Sequence, residues 1–409
     1  MKIAVFTDAY LEAVSGIASS IKAQKQGLEK LGHEVVLFCP GWDKSLVKLS
    51  KKEQKNVVVV PTCKHLHFGG VPIARNPKYI EDWVIQNFLN FASFDLVHVH
   101  YEAGCSLAGI LLAKRFKKPL VQTMHGREDS AIAVNVPYGF KTLAGSLLNG
   151  VHASFLPHST KVSRDDKWAT STARVKMWEM MVNHANCADQ VIVPSHHFAR
   201  KLKYYGMTSK TEVLSNGVAD DLLILNAKIR KLKAGEPLKM IWNSRISREK
   251  RFRGFLQTLH NLNIPYELHV YGGGNDLNKA KKIAKKWNLN AHFYGTMARD
   301  KIFDKMAECH LGVLTSFNFD NQPMTLLEAE MTGLPVFFCD PDMKEVVPDG
   351  SFVCSKNPTI EAMAEALRDL VKHPERVEKM SKVMLEHRGE ILQSVQIEKL
   401  LKIYEDLIK

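Results

Sequence analysis

Short apolar runs alternate with longer amphipathic stretches along most of the chain. In the first half the apolar runs of strand length lie at residues 2–7, 35–39, 57–61, 95–100, 119–124 and 190–194. In the second half they lie at residues 238–243, 266–271, 291–294, 310–314 and 336–339. Runs this short, separated by helical stretches, are typical of parallel strands that are buried on both faces. The pattern therefore predicts an α/β protein with doubly wound parallel sheets.

The series of strands restarts between Glu212 and Pro237, which indicates two domains. A chain of 409 residues is also long for a single core. A stretch rich in Lys and Arg at residues 226–234 predicts a helix that opens the second half, and residues 391–408 predict a terminal helix. We place the domains at residues 1–220 and 221–390, followed by the helix at 391–409.

An insertion at residues 129–189 precedes the last strand of the first half. Its apolar residues recur at helical spacing, and basic residues follow them; the apolar ones are Phe140, Leu143, Leu147, Val151 and Phe155. An amphipathic helix most often turns such a stripe to the core. Beside a basic cluster, the stripe can instead lie in a membrane interface. The sequence leaves both interpretations open.

Composition excludes several classes of protein. Apolar residues make up 45% and charged residues 24%, as in ordinary globular proteins. The seven cysteines form no C-x-x-C pair, which favours buried thiols over disulfides or zinc ligands. No apolar run reaches the length of a membrane-spanning helix, and the chain starts directly with a strand. We therefore expect a cytoplasmic protein.

The positive charge is concentrated in the first half. The formal net charge is +13, and residues 1–220 hold 27 Lys and Arg against 18 Asp and Glu. Such an excess favours an anionic partner: a membrane surface, a nucleotide or a nucleic acid. Because no zinc finger or RNA-binding signature accompanies it, nucleic acid is the least favoured of the three.

The stretch at residues 315–335 carries the clearest candidate chemistry. It predicts a loop and a helix at 325–331 between two strands, with Asp320 in the loop and Glu328 inside the helix. Helix N-termini bind phosphate, and carboxylates bind sugar hydroxyls. The segment therefore predicts a pocket for a diphosphate and hydroxylated rings, contacted by residues Asn321, Gln322, Met324 and Thr325.

Other candidates follow predicted strands, at the edge where parallel sheets bind ligands. Arg245 and Lys250 could stabilise a departing diphosphate, although such residues are more often a solvated surface. His125 could hydrogen-bond a sugar hydroxyl or orient an acceptor. Gly16 and Gly273 allow close approach of the backbone to a nucleotide. No nucleophile elbow is present, and a metal cluster is not expected.

Eight segments in their order resemble the family 4 glycosyltransferases, which have the GT-B fold. They read FTDAYLEAVSGIASSI, HVH followed by TMHG, VIVPS, EVLSNGV, SRISREK, YGGG, FYGTM and DNQPMTLLEAEMTGLPV, and they extend over nearly the whole chain. The opening loop is most similar to the branch that glucosylates diacylglycerol at a membrane surface. The resemblance implies two Rossmann-like domains facing a central cleft, with a nucleotide sugar held chiefly by the second domain. It also implies a last helix that returns to the first domain.

The resemblance also implies roles for individual residues. Arg245 and Lys250 match the pair that binds the donor diphosphate, and Glu328 matches the acid that holds the ribose hydroxyls. Asp320 stands where the family's E-x7-E motif has its first glutamate, near the donor sugar. Since Asp is one methylene shorter, its reach to the sugar and the choice of donor are expected to differ. His125 matches a histidine at the junction of sugar and acceptor.

One smaller match and two further departures remain in these motifs. Gly16 matches the glycine of the loop near the pyrophosphate. Pro323 and Gln322 replace positions that are glycine-rich in many members, and Pro323 removes one backbone donor from the phosphate site. Ser244 stands where glycine usually precedes the arginine. Neither departure abolishes the predicted site.

Together these features predict a retaining glycosyltransferase that transfers a hexose, preferably glucose, from a UDP-sugar to a lipid hydroxyl, preferably that of diacylglycerol. The resemblance implies that no metal is required. No cofactor is expected either, because the UDP-sugar is a substrate. We expect a peripheral association with the inner face of the cell membrane, through anionic lipid. The alternatives are an acceptor that is soluble or part of a polysaccharide, a sugar-nucleotide epimerase, and a non-catalytic binding protein of the same fold.

Overall fold

A computed structural model of the chain describes residues 1–9, 11, 16–41, 55–68, 71–88, 90–157, 159–224 and 227–409. Part of the opening loop, residues 10 and 12–15, lies outside the described residues. The contacts within the chain divide it into two units. Unit 1 contains Met1–Asn216 and Gln393–Lys409, and unit 2 contains Gly217–Leu392. The C-terminal segment therefore belongs to the same unit as the N-terminus.

Unit 1 is built on a parallel sheet of seven strands in the order β3-β2-β1-β6-β7-β8-β9. The strands are β1 (Lys2–Thr7), β2 (Glu34–Pro40), β3 (Val57–Val60), β6 (Leu96–His100), β7 (Leu120–Thr123), β8 (Gln190–Val193) and β9 (Lys210–Val213). Strands β4 (Thr62–Phe68) and β5 (Val71–Ala74) form a separate antiparallel pair. The described helices are α1 (Gly16–Lys30), α2 (Pro77–Asn87), α3 (Gly104–Arg115), α4 (Glu128–Asn135), α5 (Lys141–Ala153), α6 (Thr172–Ala185), α7 (His196–Tyr204) and α14 (Gln393–Ile408).

Successive residues of β1 and β2 enter cores on opposite faces of this sheet. Ala4 and Phe6 belong to one core, where the rings of Phe6 and Phe38 stack at 4.4 Å between centroids. Ile3 and Val5 belong to the other core, which α14 completes. Because the sheet is covered on both faces, its strands carry apolar residues on both sides. This explains the continuous apolar runs of the sequence.

Unit 2 repeats this architecture with a parallel sheet of six strands in the order β12-β11-β10-β13-β14-β15. The strands are β10 (Leu238–Trp242), β11 (Tyr266–Tyr271), β12 (Ala291–Gly295), β13 (Leu311–Leu314), β14 (Val336–Phe338) and β15 (Phe352–Cys354). The helices are α8 (Phe252–His260), α9 (Leu277–Lys286), α10 (Arg299–Met306), α11 (Met324–Thr332), α12 (Ile360–Lys372) and α13 (Glu375–His387). The prediction of an α/β fold with two doubly wound parallel sheets is confirmed.

The prediction of a helix at residues 226–234 is wrong, because residues 227–233 are irregular. Residue 226 lies outside the described part of the chain. Tertiary contacts explain the difference. The Arg230 backbone N–H donates to Ser381 Oγ at 2.9 Å, and its buried guanidinium donates to the carbonyl oxygens of Met306 at 3.3 Å and Thr332 at 3.0 Å. These partners, distant in sequence, hold the segment against unit 2 and override its helical composition.

The insertion of unit 1 forms α4, α5 and α6, and α5 is oriented with its apolar side outward. Phe140, Leu143, Leu147 and Val151 are all exposed, each at 53% or more. Only Phe155 of the predicted stripe packs partly against the core. The more frequent interpretation of the stripe, a face buried in the core, is therefore wrong for this helix.

The side of α5 that faces the protein is small and polar. Asn149 Nδ2 donates to Glu179 Oε2 of α6 at 2.9 Å, and His152 Nδ1 lies 2.7 Å from His184 Nε2. Gly145 is buried against the backbone of α6. Hydrogen bonds and small residues thus hold α5 where a core helix would use large apolar side chains. Within the described residues, no helix combines the length and apolarity needed to cross a bilayer.

Candidate active site

The strand order of unit 2 reverses between β10 and β13. These two strands pair with each other, whereas β11 pairs with the other side of β10 and β14 with the other side of β13. In open α/β sheets, ligands bind outside the carboxyl ends of the strands at such a point. Arg245 and Lys250 follow β10, and Asp320 follows β13. The topology therefore brings three of the predicted site residues to one edge of the sheet.

The two cations after β10 differ in their surroundings. The side chain of Arg245 is 72% exposed, and its Nη2 lies 3.4 Å from Glu249 Oε1. Lys250 is buried, and its carbonyl oxygen accepts a hydrogen bond from Thr315 Oγ1 at 3.0 Å. Lys250 is thus a fixed cation, whereas Arg245 can move to a ligand at little cost because a surface ion pair is weak.

Lys250 forms a two-pronged ion pair with Asp320. Its Nζ donates to Asp320 Oδ1 at 2.7 Å and to Oδ2 at 2.8 Å. Ser316 Oγ also donates to Asp320 Oδ2. Both carboxylate oxygens are therefore engaged within unit 2. Such charge-assisted bonds in a partly buried place set the position of the ammonium group.

The N-terminus of α11 points to the same edge without a side-chain cap. Its N-cap residue is Pro323, and no side chain accepts from the first helical amides, which belong to Met324 and Thr325. Thr325 Oγ1 is buried and has no hydrogen-bond partner among the described atoms. Free amides and the positive end of the helix dipole suit an anion such as phosphate. Asn321 and Gln322 lie directly before this end.

Glu328 lies one turn further into α11. Its Oε2 accepts a hydrogen bond at 3.2 Å from Asn243 Nδ2, at the end of β10. Asn243 thereby orients the carboxylate over the edge of the sheet, where it could accept from two neighbouring hydroxyls. Sequence analysis had not assigned this contact to Asn243.

The glycine triplet after β11 packs directly on the loop that follows β10. Gly272 and Gly274 have φ values of +147° and +143°, and a Cβ on either would lie within 2.4 Å of the carbonyl oxygen of Ser244 or Ile246. Gly273 accepts a hydrogen bond from the Ile246 N–H at 2.8 Å. The outer two glycines are therefore required by the backbone itself. Gly273, the predicted ligand contact, lies between them.

In unit 1, His125 follows the carboxyl end of β7. Its Nε2 lies 3.0 Å from His100 Nδ1, at the end of β6. Burial lowers the pKa of His125 to about 4, against a smaller opposite effect of a hydrogen bond with Asn216. The ring is therefore neutral at neutral pH, and it can exchange hydrogen bonds with a hydroxyl without carrying charge.

A group of carboxyl groups at the same edge of unit 1 was missed by sequence reasoning. Asp8, Glu102 and Glu128 follow β1, β6 and β7, and burial raises the pKa of each, that of Glu128 to about 7. Asp8 accepts from the backbone N–H groups of Cys105 and Ser106, and so caps α3. Their position within five residues of a strand end was the available signal.

The predicted residues thus fall into two groups. Arg245, Lys250, Asp320, Glu328 and Gly273, with the residues at the start of α11, meet at one edge of unit 2. His125 and Gly16 belong to unit 1, where Gly16 begins α1. In the part of the chain that the structure describes, no three His, Cys, Asp or Glu side chains are grouped so as to hold a metal ion.

Two doubly wound parallel sheets, with cations, carboxylates and an uncapped helix N-terminus at the edge of the second, define the GT-B class of glycosyltransferases. The chain belongs to glycosyltransferase family 4. The family described as "Glycosyltransferase Family 4" matches residues 14–222, and "Glycosyl transferases group 1" matches residues 226–384. The protein is therefore a glycosyltransferase.

Similar proteins cover most of the chain. The alpha-monoglucosyldiacylglycerol synthase of Acholeplasma laidlawii is 24% identical over 411 residues, which cover 93% of this chain and 91% of that protein. The protein of the same name from Streptococcus pneumoniae (strain ATCC BAA-255 / R6) is 24% identical over 373 residues, which cover 86% of this chain and 74% of that protein. The solved structure of HepE from Anabaena in complex with UDP has a TM-score of 0.70 at 14% identity. The superposition covers 99% of this chain and 100% of HepE. This last similarity concerns the fold alone.

Proposed function

We propose that this glycosyltransferase moves a hexose from a UDP-sugar to the hydroxyl of a membrane lipid, with glucose as the first candidate for the hexose and diacylglycerol as the first candidate for the lipid. The reaction retains the anomeric configuration and needs no metal ion. The enzyme works at the inner face of the cell membrane without spanning it. The single observation that carries the lipid acceptor is the exposed apolar side of α5, in a unit with a marked excess of positive charge.

Support for the donor comes from unit 2 and from the relatives. Both curated relatives are named as synthases of an alpha-glucosyl lipid. HepE, which shares the fold, has been solved with UDP and with UDP-glucose. In this chain, the amides at the start of α11 and the cations Arg245 and Lys250 lie at the same edge of the sheet, and their chemistry suits a diphosphate.

The proposed chemistry uses charge stabilisation in place of a protein base. Arg245 and Lys250 stabilise the negative charge that develops on UDP as the bond from the anomeric carbon to the phosphate oxygen breaks. The acceptor hydroxyl attacks the same face, and its proton passes to an oxygen of the departing phosphate. The fixed cation Lys250 and the exposed cation Arg245 supply the positive charge that a metal ion provides in other transferases.

The remaining residues position the substrates. Glu328, oriented by Asn243, holds the ribose hydroxyls, while Gly16 and Gly273 allow close approach to the nucleotide. We assign Asp320, close to the donor sugar, the task of holding Lys250. His125, neutral and buried, hydrogen-bonds a hydroxyl at the junction of sugar and acceptor.

The proposed function is tested by supplying the protein with lipid extracts, or with free sugars, and a panel of nucleotide sugars. Mass spectrometry is expected to find a hexosyl lipid, with UDP-glucose giving the largest yield and UDP released in equal amount. Transfer only to free sugars would replace the lipid by a soluble acceptor. Conversion of the donor without an acceptor would indicate an epimerase, and absence of UDP release with every acceptor would indicate a binding protein.

The Arg245→Ala variant is expected to lower kcat about 100-fold, because it removes one donor of charge stabilisation to the departing diphosphate. Steady-state kinetics with the preferred donor measure the effect. Arg248→Ala is the matched control, since Arg248 is also exposed and lies in the same loop. Full activity of the Arg245→Ala variant would remove that residue from the mechanism.

The double variant Leu143→Asp with Leu147→Asp is expected to abolish flotation with liposomes that contain anionic lipid. Both side chains are exposed, so the change removes apolar contacts with lipid and none with the core. Leu31→Asp, at another exposed leucine of unit 1, is the control and is expected to float normally. Equal flotation of all three proteins at low salt would contradict the proposed role of α5.

A further inference from the structure

A cavity of about 680 Å³ lies in unit 1 at the amino ends of strands β7 and β9. Leu120 begins β7 and Lys210 begins β9, and both line it. His125 follows the opposite end of β7, about 15 Å away at the rise of an extended strand. The cavity is therefore separate from the edge of unit 1 that carries His125 and the buried carboxyl groups.

Four lysines surround this cavity, and we call it the lysine cavity: Lys114, Lys117, Lys118 and Lys210. Within the described residues, none of the four forms an ion pair with a carboxylate. Asp189 is the one acidic residue of the lining, and its Oδ2 accepts a hydrogen bond from the Leu120 N–H at 2.8 Å. Like charges at such proximity repel each other, and a bound anion would relieve that repulsion.

The rest of the lining is largely apolar. Ile110, Leu111, Phe155 and Leu407 contribute hydrocarbon surface from α3, the segment after α5, and α14. A free inorganic anion would leave this surface in contact with water. An anion attached to a hydrocarbon chain would contact both the lysines and the apolar wall of the cavity. The volume of the cavity is in the range of small-molecule sites.

The position of Phe155 connects the lysine cavity with the exposed side of α5. Phe155 comes two residues after the end of α5, which is about 20 Å long at the helical rise. The helix starts close in sequence to α4, which follows the edge with His125, and it ends at the lysine cavity. The exposed helix and the lysine cavity are therefore adjacent at this end of α5, where Phe155 lines the cavity.

We propose that the lysine cavity binds the phosphate head group of one anionic membrane lipid per chain, with the lysines on the phosphate and the apolar wall on the upper part of the acyl chains. This lipid is a ligand and not the acceptor of the hexose. The inference rests on the proposed membrane association of α5. Its test measures binding alone, so that it can fail independently of the transferase activity.

The experiment is a calorimetric titration of the whole protein with dihexanoyl phosphatidic acid, below the concentration at which micelles form. The wild-type protein is expected to bind one molecule saturably. The variant with Lys114→Gln, Lys118→Gln and Lys210→Gln is expected to bind about 100-fold more weakly, since each lysine near a phosphate contributes roughly a factor of five. The control variant has Lys282→Gln, Lys285→Gln and Lys286→Gln, which lose the same charge on exposed positions of α9.

Two further titrations identify the ligand. Inorganic phosphate is expected to bind at least tenfold more weakly than the short-chain lipid, and Leu407→Gln is expected to remove that difference in part. Dihexanoyl phosphatidylcholine, which carries no net charge, is expected not to bind. Equal weakening in the control variant, equal affinity for inorganic phosphate, or absence of saturable binding in the wild type would each overturn the proposal.

Activity distinguishes this proposal from the proposed function. In neutral detergent micelles containing diacylglycerol, the triple lysine variant is expected to keep the kcat of the wild type, because none of its changes lies at the carboxyl edges. If the wild type binds the short-chain lipid but transfers no hexose to any lipid, the lysine cavity stands and the proposed function falls. If the triple variant loses transfer in these micelles, the site is part of the acceptor site and the separation claimed for it is wrong.

Discussion

Lys250 and Asp320 are 70 positions apart in the chain and share a bidentate ion pair at the edge of unit 2. Both oxygens of the Asp320 carboxylate are occupied by the ammonium group, and Ser316 Oγ also donates to one of them. In the proposed function, the carboxylate therefore acts on the donor through Lys250. A diphosphate that binds here must compete with Asp320 for the same cation.

The Asp320→Asn variant is expected to bind UDP and UDP-glucose more tightly by the same factor, about three- to tenfold, because a competing negative charge has been removed. Its kcat is expected to fall, since Lys250 is no longer held in place. Calorimetry with both ligands, and kinetics, measure these effects. Asp320→Glu restores the charge and is expected to recover the wild-type affinity for UDP. A loss of affinity confined to UDP-glucose would assign the carboxylate to the sugar.

At the scale of single elements, α5 departs most from the usual arrangement. Its large apolar residues face outward, and its contacts with α6 are small residues and the hydrogen bonds of Asn149 and His152. Polar contacts of this kind provide less stability than an apolar interface, and they depend on protonation. The attachment of α5 to unit 1 is therefore expected to respond to pH.

Acidification is expected to loosen α5. Burial lowers the pKa of His152 from 6.5 to about 4, and that of His184 is also lowered. Between these pH values the unfolded chain binds a proton that the native state does not, so stability decreases as the pH falls through this window. For His152 alone the full effect is on the order of 3 kcal/mol. The protection factors of the α5 amides in hydrogen exchange are the measurement.

His152→Gln tests whether this histidine is the cause, because glutamine keeps a hydrogen-bonding group that does not titrate. The variant is expected to show a flatter pH dependence of α5 protection between pH 6.5 and 4. His196→Gln, at an exposed histidine of α7, is the control and is expected to behave as the wild type. An unchanged pH profile in the His152→Gln variant would rule out the proposed cause.

At the scale of the whole molecule, unit 1 is discontinuous in sequence. Ile397, Leu400 and Tyr404 of α14 are buried in its core, and the hydroxyl of Tyr404 lies 2.6 Å from Nδ1 of His98. The last 17 residues thus complete a core that begins with the first strand. Unit 2, in contrast, is one continuous segment.

A chain that ends at Leu392 is expected to lose much of the stability of unit 1. Burial of an apolar side chain contributes about 1.5 to 3 kcal/mol, so the loss of three such residues approaches the stability of an average domain. The segment 217–392 alone is expected to unfold cooperatively, whereas 1–216 is expected to need residues 393–409 as an added peptide. Thermal unfolding followed by circular dichroism measures each case. A cooperative transition of 1–216 alone, at the temperature of the complete unit, would contradict this view.

The sequence by itself determined most of the strands and the chemistry of the edge of unit 2. Buried parallel strands are short continuous apolar runs, and the glycines and charged residues that follow them are local signals, so β1, β10, β11 and β13 were predicted almost to the residue. The spacing of Asp320 and Glu328 around the start of a helix was local too. Family resemblance then supplied the expected fold.

Only the tertiary structure decided which way the ambiguous segments face and which distant groups meet. The stripe of α5 has the same periodicity whether its neighbour is a core or a lipid, and the polar residues of α6 turned it outward. The segment around Arg230 has a helix-like composition but is irregular, because Arg230 bonds to partners up to 151 positions away in the chain. The pairing of Lys250 with Asp320, and the gathering of four lysines around one cavity, likewise depend on where separate strands and helices begin and end in space. No local pattern contains that information.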